Sequence, residues 1–429
     1  MKIAIVGSGI SGLVAGHFLA KKFDVHLFEK NDYLGGHTHT VDEKIGASHY
    51  YIDTGFIVFN DRTYPRFKKL LNEIDVQWRD TEMSFSVQDP KTGLEYNGHT
   101  LATLFAQKRN LLRPSFYQLL FGIVRFNRLA KQALEQGEDV DHQTLGEFLR
   151  EKRINKRVSE LYLLPMISAI WSSTLAEAEQ FPLGFFLRFF NHHGLLNIAD
   201  RPQWHTLIGG SRAYIPALTQ QWQDNIHLQC GIARIERQQE QVMLVTEQGE
   251  EQYFDEVILA CHSDQALRLL ADASADEKDI LGRIGYQPND VVLHTDTALL
   301  PKRKAAWASW NYRLREAEDA QQQPSSVTYN MNILQGIEAS ETFCVTLNNT
   351  QAIDPAKIRQ RFQYDHPSYS IDSFRAREQR QQICGKNHTH FCGAYWYSGF
   401  HEDGVRSAMD VLERFDALPA CYEAVHHAE

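Results

Sequence analysis

Lys2-Ile3-Ala4-Ile5-Val6 running into Gly7-Ser8-Gly9-Ile10-Ser11-Gly12 is the stretch that decides the fold. A helix-like segment continues through Leu19, and a second apolar strand, Val25-His26-Leu27-Phe28, ends on Glu29. Strand, G-x-G-x-x-G turn, helix, strand and terminal acid, in that order, form the fingerprint of a dinucleotide-binding βαβ unit. Gly7 makes the tight turn, Gly9 lets the backbone approach a pyrophosphate, and Gly12 permits close helix–strand packing. The N–H groups at the helix start, where Ser11 also lies, favour phosphate charge through the helix dipole. Glu29 is placed to accept hydrogen bonds from a ribose. Lys30 follows it and joins the candidate set.

Working outward, 429 residues predict two domains with ample core in each. A net charge of −10 argues against nucleic acid as the partner, because phosphate backbones need a basic footprint. No apolar run is long enough to span a bilayer. The first core strand begins at Lys2, so a secretory leader is not expected and a cytoplasmic location is. The six cysteines are scattered, without C-x-x-C pairs or a histidine-rich cluster, which predicts reduced thiols and no metal site.

Three later segments extend the reading. Leu34-Gly35-Gly36-His37-Thr38 is followed by Tyr51-Ile52-Asp53-Thr54-Gly55-Phe56. Gly209-Gly210-Ser211-Arg212 precedes strand-like runs at Leu228–Ile235, Val242–Thr246 and Asp255–Ala260. Phe391-Cys392-Gly393-Ala394 precedes Gly399-Phe400-His401-Glu402-Asp403-Gly404-Val405 and a C-terminal helix. In this order and spacing the chain resembles the flavin-containing amine oxidoreductase superfamily, which includes monoamine oxidase, protoporphyrinogen oxidase and phytoene desaturase-like enzymes.

The resemblance implies an α/β fold, a Rossmann-like FAD-binding domain of amine-oxidase type with an interleaved α+β substrate domain. The FAD domain would comprise 1–65, 205–285 and 386–429, and the substrate domain 66–204 and 286–385. It also implies cofactor contacts at Gly36, His37, Thr38, Gly55 and Phe56, at Ile232 beside the adenine, and at Gly393, His401, Glu402, Asp403, Gly404 and Val405. His37 stands where relatives carry arginine, and Ala394 where they carry an acid or threonine. Cys384 and Cys392 lie outside the setting of a covalent flavin link, so noncovalent FAD is expected.

Flavin enzymes supply position and electrostatics around a cofactor that carries the chemistry. Amine oxidases of the superfamily place a lysine near the flavin. Here the comparable strand, Val291–Asp296, offers His294, the candidate catalytic base, with a buried hydrogen-bonded histidine as the plain alternative. Trp171, Trp310, Asn311, Tyr312, Tyr329, Asn332 and Phe400 are the candidate substrate-pocket residues. Phe181, Phe185, Phe186, Phe189 and Phe190 are read first as core and second as a tunnel lining.

These segments resemble a bacterial subgroup known as NAD/FAD-binding, amine-oxidase-like proteins, commonly encoded near cyclopropane-fatty-acyl-phospholipid synthase-like methyltransferases. That resemblance implies dehydrogenation or desaturation of an acyl lipid by hydride transfer to flavin N5. The alternatives are an oxidase of small amines or polyamines, and a non-catalytic dinucleotide-binding partner of a lipid-modifying enzyme. Finally, between Tyr96 and Leu134 there are six basic residues and no acid, interleaved with Phe116, Leu119, Leu120 and Ile123 at i, i+3, i+4 and i+7. The plain reading of 101–134 is a helix packed on a core. The alternative is peripheral contact with the inner membrane face.

Overall fold

The computed structural model describes residues 1–426 apart from 137–139, 141, 198 and 316–322. Its first layer is a five-stranded parallel sheet built around β1 (Lys2–Val6) and β2 (Asp24–Phe28), with helix α1 (Ile10–Leu19) between them. The strand order is Ile226–His227, β2, β1, Glu256–Leu259, Thr389–Phe391, so the sheet gathers strands from widely separated parts of the chain. β1 is central: Ile3 and Ile5 face Val25 and Leu27 on one side, and Ile5 faces Ile258 on the other. Strands covered on both faces read as continuous apolar runs, as β1 does. Crossovers between parallel strands place the strand ends, and any ligand crevice, at one edge.

A second, seven-stranded sheet runs Ile358–Pro367, Tyr286–His294, Cys344–Leu347, Val327–Asn330, Trp310–Arg313, Phe85–Asp89, Leu94–Asn97. Its pairings are antiparallel except that of Trp310–Arg313 with Phe85–Asp89. Helices Pro114–Glu135, Leu164–Trp171 and Leu183–His192 share a core in which Phe126, Phe148, Phe186 and Phe190 are fully buried. The expected amphipathic pattern is present: Phe116 and Leu119 are buried, while Leu120 and Ile123 are half-buried at the core margin. Phe186 and Phe190 are core residues, as their plain reading predicts.

One expected strand differs and one is missing from the expectation. Leu228–Gly231 forms a turn with Gln229 at φ 52°, and the strand begins only at Ile232. The run at Asp255–Ala260 is a strand over Glu256–Leu259 and enters the parallel sheet, while an unexpected strand, Glu251–Phe254, completes the three-stranded antiparallel unit. Four residues are too short for alternation to announce a strand.

Candidate functional site

The carboxyl ends of the parallel strands converge on the glycine turn. The Gly7 N–H donates to the Phe28 carbonyl at 2.9 Å, and Gly7 has φ +105°, a conformation that favours glycine. A Cβ on Gly12 would run into the Gly7 carbonyl oxygen, whereas a Cβ on Gly9 would meet nothing within 4 Å. Gly9 thus borders open space at the start of α1, where no side chain caps the helix N–H groups. The second glycine pair closes over the first. Gly35 donates to the Ser8 carbonyl at 3.0 Å, and a Cβ on Gly36 would sit 3.4 Å from the Gly9 Cα.

Glu29 is buried at the end of β2 and accepts from the Ser8 hydroxyl at 2.6 Å, the Ser8 N–H at 3.0 Å and the Asn31 N–H at 2.9 Å. It orders the turn it was expected to serve. Lys30 is exposed beyond it. Ser11 donates to the Gly404 carbonyl at 2.9 Å, and a Cβ on Gly404 would lie 2.5 Å from Ile10 Cγ2. The starts of α1 and of the C-terminal helix His401–Arg414 therefore meet, and two positive helix ends share one crevice. Ile232 and Val405 are buried in the core around it, and Gly393 donates to Ser407 Oγ at 3.0 Å.

Thr38, Phe56 and His401, expected from three separate segments, form one group. His401 Nε2 lies 2.8 Å from Tyr214 Oη and 3.2 Å from Thr38 Oγ1, and its ring stacks on Phe56 at 3.6 Å. Burial holds the His401 imidazole down at about 3, so it is neutral. Gly55 allows this gathering, because a Cβ there would strike the His37 carbonyl oxygen. His37 itself has no charge to offer: burial lowers it, and its ring sits among His262, His366 and Tyr364 at centroid distances of 6.0, 5.5 and 5.2 Å. Its Nε2 is buried without a hydrogen-bond partner among the described residues.

Glu402 and Asp403 turn away from the crevice. Glu402 accepts from the N–H groups of Arg66 and Phe67 at 3.0 and 2.9 Å and from Arg66 Nη1 at 3.2 Å, capping helix Pro65–Glu73. Asp403 accepts from the Phe400 N–H at 2.8 Å and caps its own helix; burial raises it to about 7. Both side chains are engaged within the protein.

The pocket candidates divide into two groups. Trp171 and Phe400 come together: Phe189 stacks on Phe400 at 5.1 Å, Trp171 lies 4.6 Å from Phe189 and 6.5 Å from Phe400, and Trp171 Nε1 donates to the Ser398 carbonyl at 3.4 Å. Phe185 and Tyr369 extend the wall. The others belong to the seven-stranded sheet. Trp310 and Tyr329 meet edge to face at 4.9 Å, and with Tyr312 they pack around Val327 and Ala169. Asn311 is saturated by Ser86, Ala308 and Thr328, and Asn332 donates to the Ile337 and Glu341 carbonyls and accepts from the Phe343 N–H, so every polar atom of both amides is engaged within the protein.

His294 is fully buried, and both ring nitrogens are engaged. The Asp296 N–H donates to Nδ1 at 3.0 Å, which leaves Nε2 as the donor to Thr346 Oγ1 at 2.7 Å. Burial holds it down at about 4. A neutral imidazole in one fixed tautomer braces the sheet, in the manner of the plain alternative.

Sequence reasoning did not single out Tyr214, His262 or His366, and it quoted Asp53 only within the Tyr51–Phe56 block. Asp53 accepts from Ser211 N and Oγ at 2.8 and 2.9 Å and from Thr40 Oγ1 at 2.6 Å, and so ties the Gly209–Arg212 turn to the crevice. Burial raises it to about 6. His262 could have been found, since it directly follows a parallel strand, where such sheets place ligands. Nothing local marks Tyr214 or His366.

The residues present fit a flavin dinucleotide: an open glycine cradle at an uncapped helix start, a buried acid at the end of β2, a second helix start, and an unpartnered buried His37 Nε2. Among the described residues no group of three potential ligands could hold a metal ion, and no helix is long and apolar enough to cross a membrane.

The model of the family described as flavin containing amine oxidoreductase matches residues 10–349. The 1-hydroxycarotenoid 3,4-desaturase of Flavobacterium sp. (strain P99-3) is 38% identical over 96 residues, which cover 22% of this chain and 18% of that relative's length. Among solved structures, the CLA-producing fatty acid isomerase from P. acnes aligns with a TM-score of 0.69 at 16% identity, covering 96% of this chain and 98% of that one. Cyclohexylamine oxidase from Brevibacterium oxydans IH-35A aligns with a TM-score of 0.66 at 16% identity, covering 97% and 99%. At such identity the two structures establish the fold alone.

Proposed function

Because the chain belongs to the flavin-containing amine oxidoreductase family, we propose that this flavoprotein oxidoreductase uses noncovalent FAD to dehydrogenate or desaturate a hydrophobic, acyl-type substrate. One observation carries the choice of substrate. The residue at the start of the C-terminal helix is Phe400, and the rings that meet it are Phe189, Trp171 and the His193 imidazole, which burial holds down at about 4 and so keeps uncharged. Such a wall offers no carboxylate to an ammonium group and a large contact area to a hydrocarbon chain. The names of the carotenoid desaturase and the fatty acid isomerase, both concerned with long apolar molecules, support the same reading.

The bound flavin would supply a hydride acceptor. The start of α1 and Gly9 would hold its pyrophosphate, and Glu29 its ribose. The N–H groups beginning helix His401–Arg414 would face the negative charge that the pyrimidine edge gains on reduction. Thr38, Tyr214 and His401, which hold one another in place, would stand beside it. Trp171, Phe189 and Phe400 would exclude water and orient the chain carbon that loses hydride. His294 takes no part in this scheme.

An absorption spectrum, repeated on the supernatant after denaturation, tests the cofactor: a two-band flavin spectrum released into solution is expected. Anaerobic bleaching by unsaturated or methyl-branched acyl phospholipids, with no bleaching by putrescine or cyclohexylamine, is the expected second result. Bleaching by amines alone would replace the substrate with an amine. A protein that takes up FAD but is bleached by neither would be the non-catalytic dinucleotide-binding partner.

A further inference from the structure

The three most exposed large apolar side chains of the described residues come from one stretch of the chain. Leu112 is 87% exposed, Leu101 77% and Phe121 71%, and Leu111 and Val124 are half exposed beside them in sequence. They lie on the short helix Leu101–Leu104, the turn Lys108–Leu112 and the outer face of helix Pro114–Glu135. On that helix Phe121, Val124, Arg125 and Arg128 share one face by their i, i+3, i+4, i+7 spacing, while Phe116, Leu119, Phe126 and Ala130 turn inward. A single exposed leucine needs no explanation, but a group of them rimmed by polar residues marks an interaction surface.

The charge of this surface opposes that of the chain. Between Tyr96 and Leu134 every charged residue is basic, in a protein of net charge −10. Lys108, Arg109 and Arg128 are exposed there. A cavity of about 220 Å³ also opens beside the start of the long helix, lined by Arg113 and Arg157, by the hydroxyls of Thr92 and Ser115, and by Leu94, Phe116, Leu119 and Leu161. Among the described residues no carboxylate lines it. Two guanidinium groups, two hydroxyls and four apolar side chains in one cavity match the phosphate and first acyl carbons of a phospholipid. Arg125 is not part of this set, because it donates to the Lys152 and Arg153 carbonyls at 2.7 and 3.0 Å and fastens the end of helix Leu145–Glu151.

We infer that this face docks on an anionic phospholipid bilayer: Leu101, Leu112 and Phe121 enter the acyl boundary, and Arg113 and Arg157 hold a lipid phosphate. Apolar tips at one level with cations are what an interfacial element presents to a membrane. A soluble anion would engage the arginines and leave the leucines and phenylalanine in water. No described helix is long and apolar enough to cross the bilayer, and the docking inferred is peripheral. The face is linked to the site. Leu161 in the cavity lining precedes helix Leu164–Trp171, whose length of about 12 Å ends at Trp171 in the aromatic wall. Docking itself does not depend on the proposed substrate.

Co-sedimentation of the full-length, flavin-loaded protein with large vesicles tests this. Vesicles of phosphatidylcholine with about 30 mol % phosphatidylglycerol should bind at least about tenfold more protein than phosphatidylcholine alone, and added salt should reverse the difference. Leu112→Ser combined with Phe121→Ser should abolish most of the binding. Arg113→Gln and Arg157→Gln should each weaken it about fivefold. Lys44→Gln, an exposed charge on the remote hairpin Thr40–Asp53, should change it less than twofold. Retention of the flavin spectrum checks that each variant is folded. Equal binding to neutral and anionic vesicles, no binding to either, or indifference to these four residues would overturn the inference. So would displacement by inorganic phosphate at constant ionic strength, which would make the arginine pair a small-anion site. Bleaching by detergent-dispersed acyl lipid is measured without vesicles, so a wrong substrate and a wrong docking face give separate failures.

Discussion

The glycine cradle and the aromatic wall border the same helix start at residues 400–401, yet they are built by opposite means. The cradle is made of backbone. Gly7, Gly12, Gly36 and Gly55 matter because the side chains they lack would collide with main chain or distort it. The wall is made of side chains from three distant segments, Trp171, Phe189 and Phe400, held by packing. A site made of backbone tolerates almost no substitution and leaves a spaced glycine signature. A site made of packed rings tolerates exchange of shape for shape and leaves only an apolar composition.

The largest expected effect probes the cradle. Gly12→Val should yield a protein without flavin absorbance, because its Cβ is driven into the Gly7 carbonyl. Gly9→Ala is the sharper companion: its Cβ meets no protein atom, so the flavin-free protein should melt as the parent does while flavin retention falls. Unchanged retention in Gly9→Ala would break the assignment of that open space to the cofactor. In the wall, Trp171→Ala should cost about 3–5 kcal/mol of stability in denaturant titration. Its flavin should remain bound, and bleaching by acyl lipid should slow; loss of flavin instead would erase the distinction between the two regions.

Glu29→Gln should weaken flavin retention about tenfold to a hundredfold, the worth of a charge-assisted hydrogen bond, as read by dialysis. The smallest effect concerns pH. Burial holds His193, His262 and His294 at about 4, and His366 and His401 at about 3. Unfolded, each takes a proton near pH 6.5, so the unfolded chain gains protons as pH falls from about 6.5 towards 4 and stability is lost. Asp53, raised to about 6, and Asp403, raised to about 7, oppose this, since the folded state keeps protons that the unfolded state releases. Five groups outweigh two. The Tm should drop between pH 7 and pH 5, and His294→Asn should make that drop shallower. An equal slope in the variant would show that His294 does not titrate in this window.

The same contrast explains what could be read in advance. β1, the glycine turn, α1 and Glu29 are local, and each step of their geometry is dictated by neighbours in the chain. Tyr214 and His401 meet across 187 residues, and Asp53 meets Ser211 across 158, so no window of sequence holds either pair. Asn311 and Asn332 lie beside aromatics, as pocket residues do. Only their hydrogen bonds to backbone groups show that they brace turns and strands. Glu402 illustrates the reverse case: its position in the C-terminal block is legible, but the helix it caps lies 336 residues away.

The hydrogen bond from Ser11 to the Gly404 carbonyl joins residues 393 positions apart. During synthesis the glycine turn therefore precedes the second helix end by 393 residues. A nascent chain cut short before residue 401 carries the glycine turn but lacks the helix start that completes the crevice.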